Sequence, residues 1–212
     1  LMLALSRRLP EARDNQRQSH WRGMIGNLTQ REDELNGKTV LIVGMGRIGG
    51  KIADLAKAFG MHVIGIRNHP EAGPNGADRI SGMGALSTLV PEADYVVLSC
   101  ALSAETEGLM DAKALAAMKP SAFLVNVARG RVVDENALCA ALQARRLAGA
   151  ALDVVVEEPM PATAPLWTMP HVLITPHSAG ETRAYEDNVI DILLENLDRL
   201  GRGDAILKNQ IL

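Results

Sequence analysis

The sequence predicts an α/β fold with a Rossmann-type, doubly wound and largely parallel sheet. Short apolar runs rich in β-branched residues, such as VLIV at residues 40–43, alternate along the chain with segments of helical periodicity. A glycine-rich turn, GMGRIG at residues 44–49, joins the first of these runs to the first long helix. Alternating strands and helices build parallel sheets through right-handed crossovers, so one such sheet is expected here.

Six strands and five helices follow from this pattern. The strands are apolar runs typical of burial on both faces, at residues 40–43, 61–66, 94–99, 122–127, 148–152 and 172–175. The helices are expected after the glycine turn through residue 59, at residues 85–90, 112–118 and 135–145, and from about 181 to 200. Asp111 and Asp134 are placed to cap two of them. Residues 71–84 predict a loop, and residues 1–19 a helical stripe interrupted by Pro10.

The glycine turn has the spacing of a dinucleotide-binding site. Gly44 permits a tight turn off the strand, and Gly46 lets the backbone approach a pyrophosphate because it has no Cβ. Gly49 allows the helix to pack closely on the strand. The N–H groups of Arg47 and Ile48 would then point at the phosphates, with the helix dipole behind them. A glycine-rich turn that binds nothing is the alternative, and the flanking strand and helix make it the weaker one.

Composition and charge exclude several classes of function. The 212 residues are 47% hydrophobic and 22% charged, which is ordinary for a globular chain. A formal net charge of −3 and only 3% aromatic residues argue against nucleic acid and anionic membranes as partners. No apolar run approaches the length of a membrane span. Cys100 and Cys139 have neither CxxC nor metal-ligand spacing, so we expect no metal site and a reducing, cytoplasmic setting.

Polar residues with catalytic or binding potential follow the predicted strands. They are Arg67, Arg129, Asp153 and His177, with Glu158 in a loop at the same edge. Ligands of doubly wound sheets bind beyond the carboxyl ends of the strands, where these residues would meet. Taken singly, an arginine after a strand is more often a surface ion pair, and a lone histidine is more often structural.

Four motifs together make the chain resemble a known family. GMGRIG (44–49), NVARGRVVDENAL (126–138), GAALDVVVEEPMP (149–161) and TPHSAGET (175–182) occur in the order and at the spacing of the D-isomer-specific 2-hydroxyacid dehydrogenases. The resemblance is to their NAD(P)-binding domain, of the glyoxylate/hydroxypyruvate reductase type. It extends from Trp21 onward, and residues 1–20 are similar to the family's crossover helix.

The resemblance implies catalytic roles for three residues. Arg129 corresponds to the arginine that holds the substrate's carboxylate and carbonyl, a task for which the bidentate guanidinium is suited. His177 corresponds to the general acid–base, and Glu158 to the carboxylate that fixes its tautomer and orientation. The residues alone do not separate Glu158 from its neighbour Glu157, whereas the motif register favours Glu158. The implied function is hydride transfer between NAD(P)H and a small 2-oxo or 2-hydroxy acid. The alternative is a non-catalytic dinucleotide-binding module, such as a sensor, a corepressor-like relative or an isolated cofactor domain.

The resemblance also implies a set of residues that line the cofactor. Besides the glycine turn with Arg47 and Ile48, it assigns Cys100 and Thr106 to the adenosine side, Val127 and Ala128 to the backbone beside the nicotinamide, and Asp153 to the carboxamide. For Cys100, a small buried hydrophobe is an equal alternative as a description of its side chain.

Two positions depart from the family pattern. The family usually has an Asp after the second strand to bind the ribose 2′-hydroxyl, and this chain has Arg67 followed by Asn68. Arginine accepts a 2′-phosphate that an acid would repel, which favours NADP(H). The alternative is that Arg67 stacks on adenine and NAD(H) is used. The family's usual Pro-Leu-Thr is Ala101-Leu102-Ser103 here, and only a local change is expected from it.

The domain organisation is likewise an expectation from the resemblance. Residues 21–180 would form the dinucleotide-binding domain, and residues 181–212 a helix and tail that return to a substrate domain. That domain, of roughly a hundred residues, normally precedes this part of the chain and selects the acid, so the sequence leaves the substrate open. Homodimerisation through the dinucleotide-binding domain is also expected.

Overall fold

The computed structural model describes residues 1–210, and Ile211 and Leu212, the end of the predicted tail, lie outside the described residues. The chain divides into two compact units, Leu1–His177 and Ser178–Leu212. The first unit contains the sheet and the helices that cover it, and the second contains one long helix.

Seven parallel strands form a single sheet in the first unit. They are β1 (Thr39–Val43), β2 (His62–Ile66), β3 (Arg79–Ser81), β4 (Tyr95–Leu98), β5 (Phe123–Asn126), β6 (Gly149–Leu152) and β7 (Val172–Ile174). Their order across the sheet is β3-β2-β1-β4-β5-β6-β7. This Rossmann-like α/β topology confirms the predicted fold class, and all six predicted strands are present.

Strand β3 was not predicted, because its residues belong to the segment interpreted as a loop. It has three residues, pairs with β2 alone in the register Ile64↔Arg79 to Ile66↔Ser81, and forms the edge of the sheet. Three residues are too few to display either an apolar run or an alternation, so the pairing with β2 decides this strand.

Seven α-helices accompany the strands in the described residues. They are α1 (Met2–Ser6), α2 (Leu9–Arg17), α3 (Arg47–Ala58), α4 (Leu86–Leu89), α5 (Ala112–Ala117), α6 (Glu135–Gln143) and α7 (Tyr185–Arg202). Short 3-10 turns occupy Leu28–Gln30, Pro70–Ala72, Met83–Ala85, Val90–Glu92, Gly130–Val132 and Pro165–Thr168. No helix in residues 1–210 has both the length and the apolar character needed to cross a bilayer.

The two predicted helix caps are present, whereas the bounds of the first and the last predicted helix differ from the prediction. Asp111 accepts a hydrogen bond from the Ala114 N–H (2.7 Å), and Asp134 accepts one from Ala137 (3.0 Å). The single N-terminal stripe is two helices, separated at Arg8 with φ +47°. Pro10 lies in the first turn of α2, where its missing N–H costs no hydrogen bond. The last helix begins at Tyr185 rather than near residue 181.

Apolar side chains of the central strands form a core on each face of the sheet. Leu41, Val43 and Leu98 belong to one cluster, whereas Val40 and Ile42 belong to the other, and all five are fully buried. Burying each such side chain stabilises the fold by roughly 1.5–3 kcal/mol. The alternation along β1 shows that the strand is covered on both faces, as its continuous apolar run predicts.

The strand order reverses at β1, whose neighbours are β2 and β4. The connections from β1 and from β4 therefore leave the sheet in opposite directions, and a crevice opens outside their carboxyl ends. This crevice is where a ligand is expected in a doubly wound sheet, and the glycine turn lies at it.

In the described residues, the second unit consists of residues 178–184, α7 and residues 203–210. Gly203 ends the helix in the left-handed conformation, with φ +78°. The Asn196 side chain accepts from the Lys208 N–H (2.7 Å) and donates to the Lys208 carbonyl (3.0 Å). Glu195 pairs with both Arg199 and Lys208. These contacts fold residues 204–210 back along the last turns of α7.

Candidate active site

The glycine turn is shaped by close backbone contacts on two sides and open space on a third. A Cβ added to Gly44, whose φ is +102°, would lie 2.5 Å from the Cys100 backbone nitrogen. A Cβ on Gly49 would lie 2.2 Å from the Gly44 carbonyl oxygen. By contrast, a Cβ on Gly46 would meet no protein atom within 4 Å. The turn is therefore packed tightly against the end of β4, with an open concavity at Gly46 that fits the approach of a pyrophosphate.

The start of α3 presents backbone donors beside this concavity. The first hydrogen bond within the helix runs from the Gly50 N–H to the Gly46 carbonyl (2.8 Å). The N–H groups of Arg47, Ile48 and Gly49 precede that bond, so they have no acceptor inside the helix. Arg47 and Ile48 are exposed. A helix N-terminus with such donors binds anionic groups, so these residues suit the phosphates of a dinucleotide.

A histidine–carboxylate pair lies after the last two strands. His177 Nδ1 is 2.7 Å from Glu158 Oε2. His177 has a φ of +53°, which is rare for residues other than glycine. Two hydrogen bonds hold it there, from its N–H to the carbonyls of Asp153 (2.8 Å) and Thr175 (3.0 Å). An unfavourable backbone held in this way is common at functional sites, where the surrounding structure fixes a side chain in one direction.

Glu158 is held on both carboxylate oxygens. Its Oε1 accepts from the Val155 N–H (3.0 Å), while Oε2 faces His177. Partial burial would raise the pKa of the Glu158 carboxyl, but these hydrogen bonds and the charges of His177 and Arg129 outweigh it and leave that pKa below its usual value. The carboxylate is thus kept ionised. The contact to His177 is made by Glu158, the glutamate that the motif register favours.

Arg129 is positioned by the turn that leaves β5. Asn126, which is 1% exposed, accepts from the Ala128 N–H (3.0 Å) and donates to the Arg129 carbonyl (3.0 Å). These two bonds close residues 126–129 into a fixed turn. The Arg129 side chain is directed by a bond from Nη1 to the Ala128 carbonyl (2.7 Å) and lies within electrostatic reach of Glu158.

The turn at Arg129 packs directly on the loop that carries Glu158. A Cβ on Gly130 would lie 2.0 Å from the carbonyl carbon and oxygen of Val155. The same loop is tied to α6, because Glu135 Oε2 accepts from the Val156 N–H (2.9 Å). Arg129, Glu158 and His177 are therefore parts of one packed assembly.

The residues assigned to the nicotinamide side line the same edge. Asp153 is 3% exposed and accepts a hydrogen bond from the Thr175 hydroxyl at 2.5 Å. Val127 is half-buried and Ala128 is buried. A cavity of about 620 Å³ opens beside His177, and its walls include Asp153, Glu158, Met160, Trp167 and Ile174. It combines a charged pair with a largely apolar lining, as expected of a small-molecule site.

The residues assigned to the adenosine side occupy the other end of the crevice. Arg67 is half-buried at the end of β2 and donates from Nη1 to the Gly73 carbonyl (3.3 Å), and Asn68 is exposed. Cys100 is half-buried and packs against the core, and burial raises the pKa of its thiol. Thr106 is buried, and its hydroxyl donates to the Ala101 carbonyl (2.7 Å), so this side chain shapes the loop from within.

Four supporting residues were missed by sequence reasoning. Asn126 and Glu135 both lie inside the motif at residues 126–138. For Asn126 a signal was available, because it is a polar residue at the end of an apolar strand. Ser99, which donates to the Gly44 carbonyl (3.0 Å), and Asn75, which donates to the glycine turn, have no local pattern that singles them out.

Comparisons with known proteins identify the family to which the chain belongs. A family profile described as "D-isomer specific 2-hydroxyacid dehydrogenase, NAD binding domain" matches residues 1–179. Glyoxylate/hydroxypyruvate reductase B of Pectobacterium atrosepticum is 38% identical over 201 residues, a match that covers 93% of this chain and 61% of the relative. Glyoxylate reductase of Korarchaeum cryptofilum is 35% identical over 207 residues, covering 96% of this chain and 61% of the relative.

A solved structure extends the likeness to the backbone. The D-isomer specific 2-hydroxyacid dehydrogenase from Xanthobacter autotrophicus Py2, in complex with NADPH and MES, has a TM-score of 0.84 at 32% identity. That match covers 100% of this chain and 83% of the other. The family resemblance carried by the four motifs is confirmed. The chain spans 61% of the length of the two curated relatives.

Proposed function

Because this chain belongs to the D-isomer-specific 2-hydroxyacid dehydrogenase family, we propose that it is the cofactor-binding part of an oxidoreductase that reduces small 2-oxo acids with NADP(H). The observation that carries the proposal is the His177–Glu158 pair, which lies in one assembly with Arg129 at the carboxyl edge of the sheet. Reduction of a 2-oxo acid needs a hydride, a proton and an anchor for the carboxylate, and this chain offers groups suited to all three.

His177 is the proposed source of the proton. Its Nδ1 is engaged by Glu158, so Nε2 remains to donate to the 2-oxo oxygen, and a protonated imidazole has a donor on each nitrogen. Glu158 is kept ionised and stabilises the imidazolium while fixing the ring. In the reverse direction, the same nitrogen takes the proton back from the hydroxyl.

Arg129 is the proposed anchor for the substrate. Its guanidinium can hold the carboxylate and the 2-oxo oxygen through parallel hydrogen bonds, which orients the carbonyl and stabilises charge that develops on its oxygen. The turn formed by Asn126 supports this role because it fixes the backbone from which Arg129 projects.

The bound nicotinamide dinucleotide would supply the hydride. Gly44, Gly46 and Gly49 with the N–H groups of Arg47 and Ile48 would hold its pyrophosphate. Cys100 and Thr106 would bound the adenosine side, Val127 and Ala128 would provide the backbone beside the nicotinamide, and Asp153 would receive the carboxamide.

The proposed preference for NADP(H) depends on Arg67 and Asn68. A guanidinium at the end of β2 attracts a 2′-phosphate, and the usual carboxylate at this position would repel it. The half-buried position of Arg67 supports the proposal, since partial exclusion of water strengthens a charge-assisted bond. The Xanthobacter structure, which contains NADPH, gives a precedent among structural neighbours.

The proposed substrates are glyoxylate and hydroxypyruvate, and the proposed assembly is a cytoplasmic homodimer. The names of the two curated relatives support these acids. Trp21 is 95% exposed and Met24 90% exposed, which is costly for large apolar side chains and supports a dimer contact near them. Sedimentation velocity of the chain would show a dimer if this is right, and a concentration-independent monomer would contradict it.

The decisive experiment measures dinucleotide oxidation and binding with a matched pair of histidine variants. NADPH and NADH are supplied with glyoxylate, hydroxypyruvate or pyruvate to the full-length protein that contains this chain. His177→Ala is expected to lower kcat by about 10²–10⁴-fold, the usual contribution of a general acid–base, and to change dinucleotide Kd less than twofold. The control, His20→Ala, alters an exposed histidine and should leave both unchanged.

Two other outcomes would contradict the assigned role of His177 or the proposed enzymatic function. Equal loss of turnover and dinucleotide binding in His177→Ala would contradict the assigned role. Tight dinucleotide binding by the unaltered protein, with no turnover of any of the three acids, would favour the non-catalytic module.

A further inference from the structure

The loop between β2 and β3 is attached to the glycine turn by one side chain, Asn75. Its Nδ2 donates to the Met45 carbonyl (3.1 Å) and to the Gly46 carbonyl (2.9 Å). A side-chain amide carries two N–H donors, so both are used on neighbouring carbonyls of the turn. Asn75 itself has φ +45°, a conformation that asparagine tolerates better than most residues.

The first turn of α3 leaves room for this side chain. A Cβ on Gly50 would lie 2.4 Å from Asn75 Nδ2 and 2.8 Å from Cγ. Gly50 is buried, although it does not belong to the three glycines that the dinucleotide motif requires. The absence of a side chain at residue 50 therefore has its own structural use, which is to admit Asn75.

The same loop also holds Arg67. The Arg67 guanidinium donates from Nη1 to the Gly73 carbonyl, two residues before Asn75. The loop is thus bonded at one point to the arginine and at another to the glycine turn. The Arg67 backbone is held beside the turn by the sheet itself, because the Ile66 carbonyl accepts from the N–H groups of Gly44 (2.8 Å) and Met45 (3.1 Å). The two bonds of the loop therefore orient the Arg67 guanidinium, not its backbone, relative to the turn.

We propose that Asn75 is a positioning residue that, through the loop, holds the Arg67 guanidinium beside the glycine turn and so favours the phosphorylated dinucleotide. The inference rests on the proposed function. The backbone donors of the turn would bind the pyrophosphate, which both dinucleotides carry. Arg67 would bind the 2′-phosphate, which only NADP(H) carries. A loosened loop therefore weakens NADPH binding selectively, because it displaces the arginine and leaves the donors of α3 in place.

Direct binding measurements on the chain, by titration calorimetry or quenching of protein fluorescence, test this selectivity. Asn75→Ala is expected to raise the Kd for NADPH roughly 5- to 10-fold, as expected for loss of about one hydrogen bond's contribution, and to change the Kd for NADH less than twofold. Asn75→Asp should be at least as severe, because it places carboxylate oxygens against two carbonyls. Asn188→Ala, an exposed asparagine on α7, is the matched control and should change neither affinity. Unchanged NADPH affinity in Asn75→Ala, or equal losses for both dinucleotides, would overturn the proposal.

A double-mutant cycle tests the contact with Gly50. Gly50→Ala is expected to displace the Asn75 side chain and to reproduce the selective loss, so adding Asn75→Ala to it should change NADPH affinity less than twofold further. Additive losses would show that the two positions act separately and would overturn the proposal. Melting curves of each variant confirm that the comparison is between folded chains.

The unaltered chain separates failure of this inference from failure of the proposed function. If it binds neither dinucleotide, the proposed function is wrong. If it binds NADPH tightly while every variant matches it, only the inference on Asn75 is wrong. Preference of the unaltered chain for NADH would overturn both the assignment of Arg67 and the role of Asn75.

Discussion

The contact between Gly130 and the loop that carries Glu158 gives the sharpest prediction. Gly130 is buried, and a Cβ added to it would lie 2.0 Å from the Val155 carbonyl carbon and oxygen and 2.5 Å from the Val156 nitrogen. Ordinary van der Waals contact begins at 3.4 Å, so Gly130→Ala forces one backbone segment to move by about 1.4 Å. All three close atoms are backbone atoms, so no side-chain rotation relieves the clash.

The expected losses of stability and activity follow from the two glutamates that this backbone segment binds. The Val155 N–H binds Glu158, and the Val156 N–H binds Glu135, so the displacement reaches the partner of His177. Overpacking of a buried site costs roughly 1–3 kcal/mol of stability, which is about 2–12 °C in Tm for a chain of this size. A catalytic group misplaced by about 1 Å can cost on the order of 10²-fold in rate.

The assay compares Gly130→Ala with Gly84→Ala. A Cβ on Gly84 would meet no atom within 4 Å, so this variant controls for the glycine-to-alanine change itself. We expect Gly130→Ala to lower Tm and to lower kcat for glyoxylate reduction by about 100-fold, whereas NADPH affinity stays within threefold because the glycine turn is separate. A Gly130→Ala protein with the Tm and kcat of the Gly84→Ala control would refute the reasoning.

Two further predictions concern charge. Arg67→Asp should shift the ratio of NADPH to NADH affinity by at least about 10-fold toward NADH, since it replaces a charge-assisted bond by repulsion, and an unaltered protein that already prefers NADH would contradict it. His171 has its Nε2 3.2 Å from the Leu142 carbonyl, and its buried Nδ1 is without a hydrogen-bond partner among residues 1–210. Burial, with the charge of Arg145, lowers the pKa of His171, so its neutral form stabilises the fold above the ordinary histidine pKa of about 6.5, and this stability is lost as pH falls. The free energies of unfolding in urea of the unaltered protein and of His171→Gln should therefore agree at pH 8. At pH 5 they should differ, with the unaltered protein the less stable. Parallel pH profiles of the two free energies would show that His171 does not contribute.

Individual strands and helices show which parts of the fold can be predicted from neighbouring residues in the sequence. The apolar run of β1 and the caps at Asp111 and Asp134 are decided by residues within four positions of one another, and all are present in the structure. Strand β3 failed to appear in the sequence pattern because its stability comes from pairing with β2. The N-terminal helix was predicted as one stripe, and the left-handed Arg8 that divides it has no signature in hydrophobic periodicity.

In the candidate site, too, motifs identify residues, whereas contacts between distant residues require the structure. Motif spacing brought Arg129, Glu158, His177 and the glycine turn into consideration, and the resemblance gave each of them a role that stays a prediction. The choice of Glu158 over Glu157 as the residue that contacts His177 needed the contact itself, which joins residues 19 positions apart. Asn75 and Ser99 reach the glycine turn across 30 and 55 positions, and neither belongs to any of the four motifs.

The sequence by itself therefore determined the class of fold, the family and the residue types available for chemistry, because propensities, caps and glycine turns act within a few residues. Only the tertiary structure decided which of those residues meet. It alone showed that Gly130 packs on the loop of Glu158, and that Asn75 and Gly50 share one space beside the glycine turn. Such contacts depend on how strands and helices pack, and that packing is set by the whole sheet.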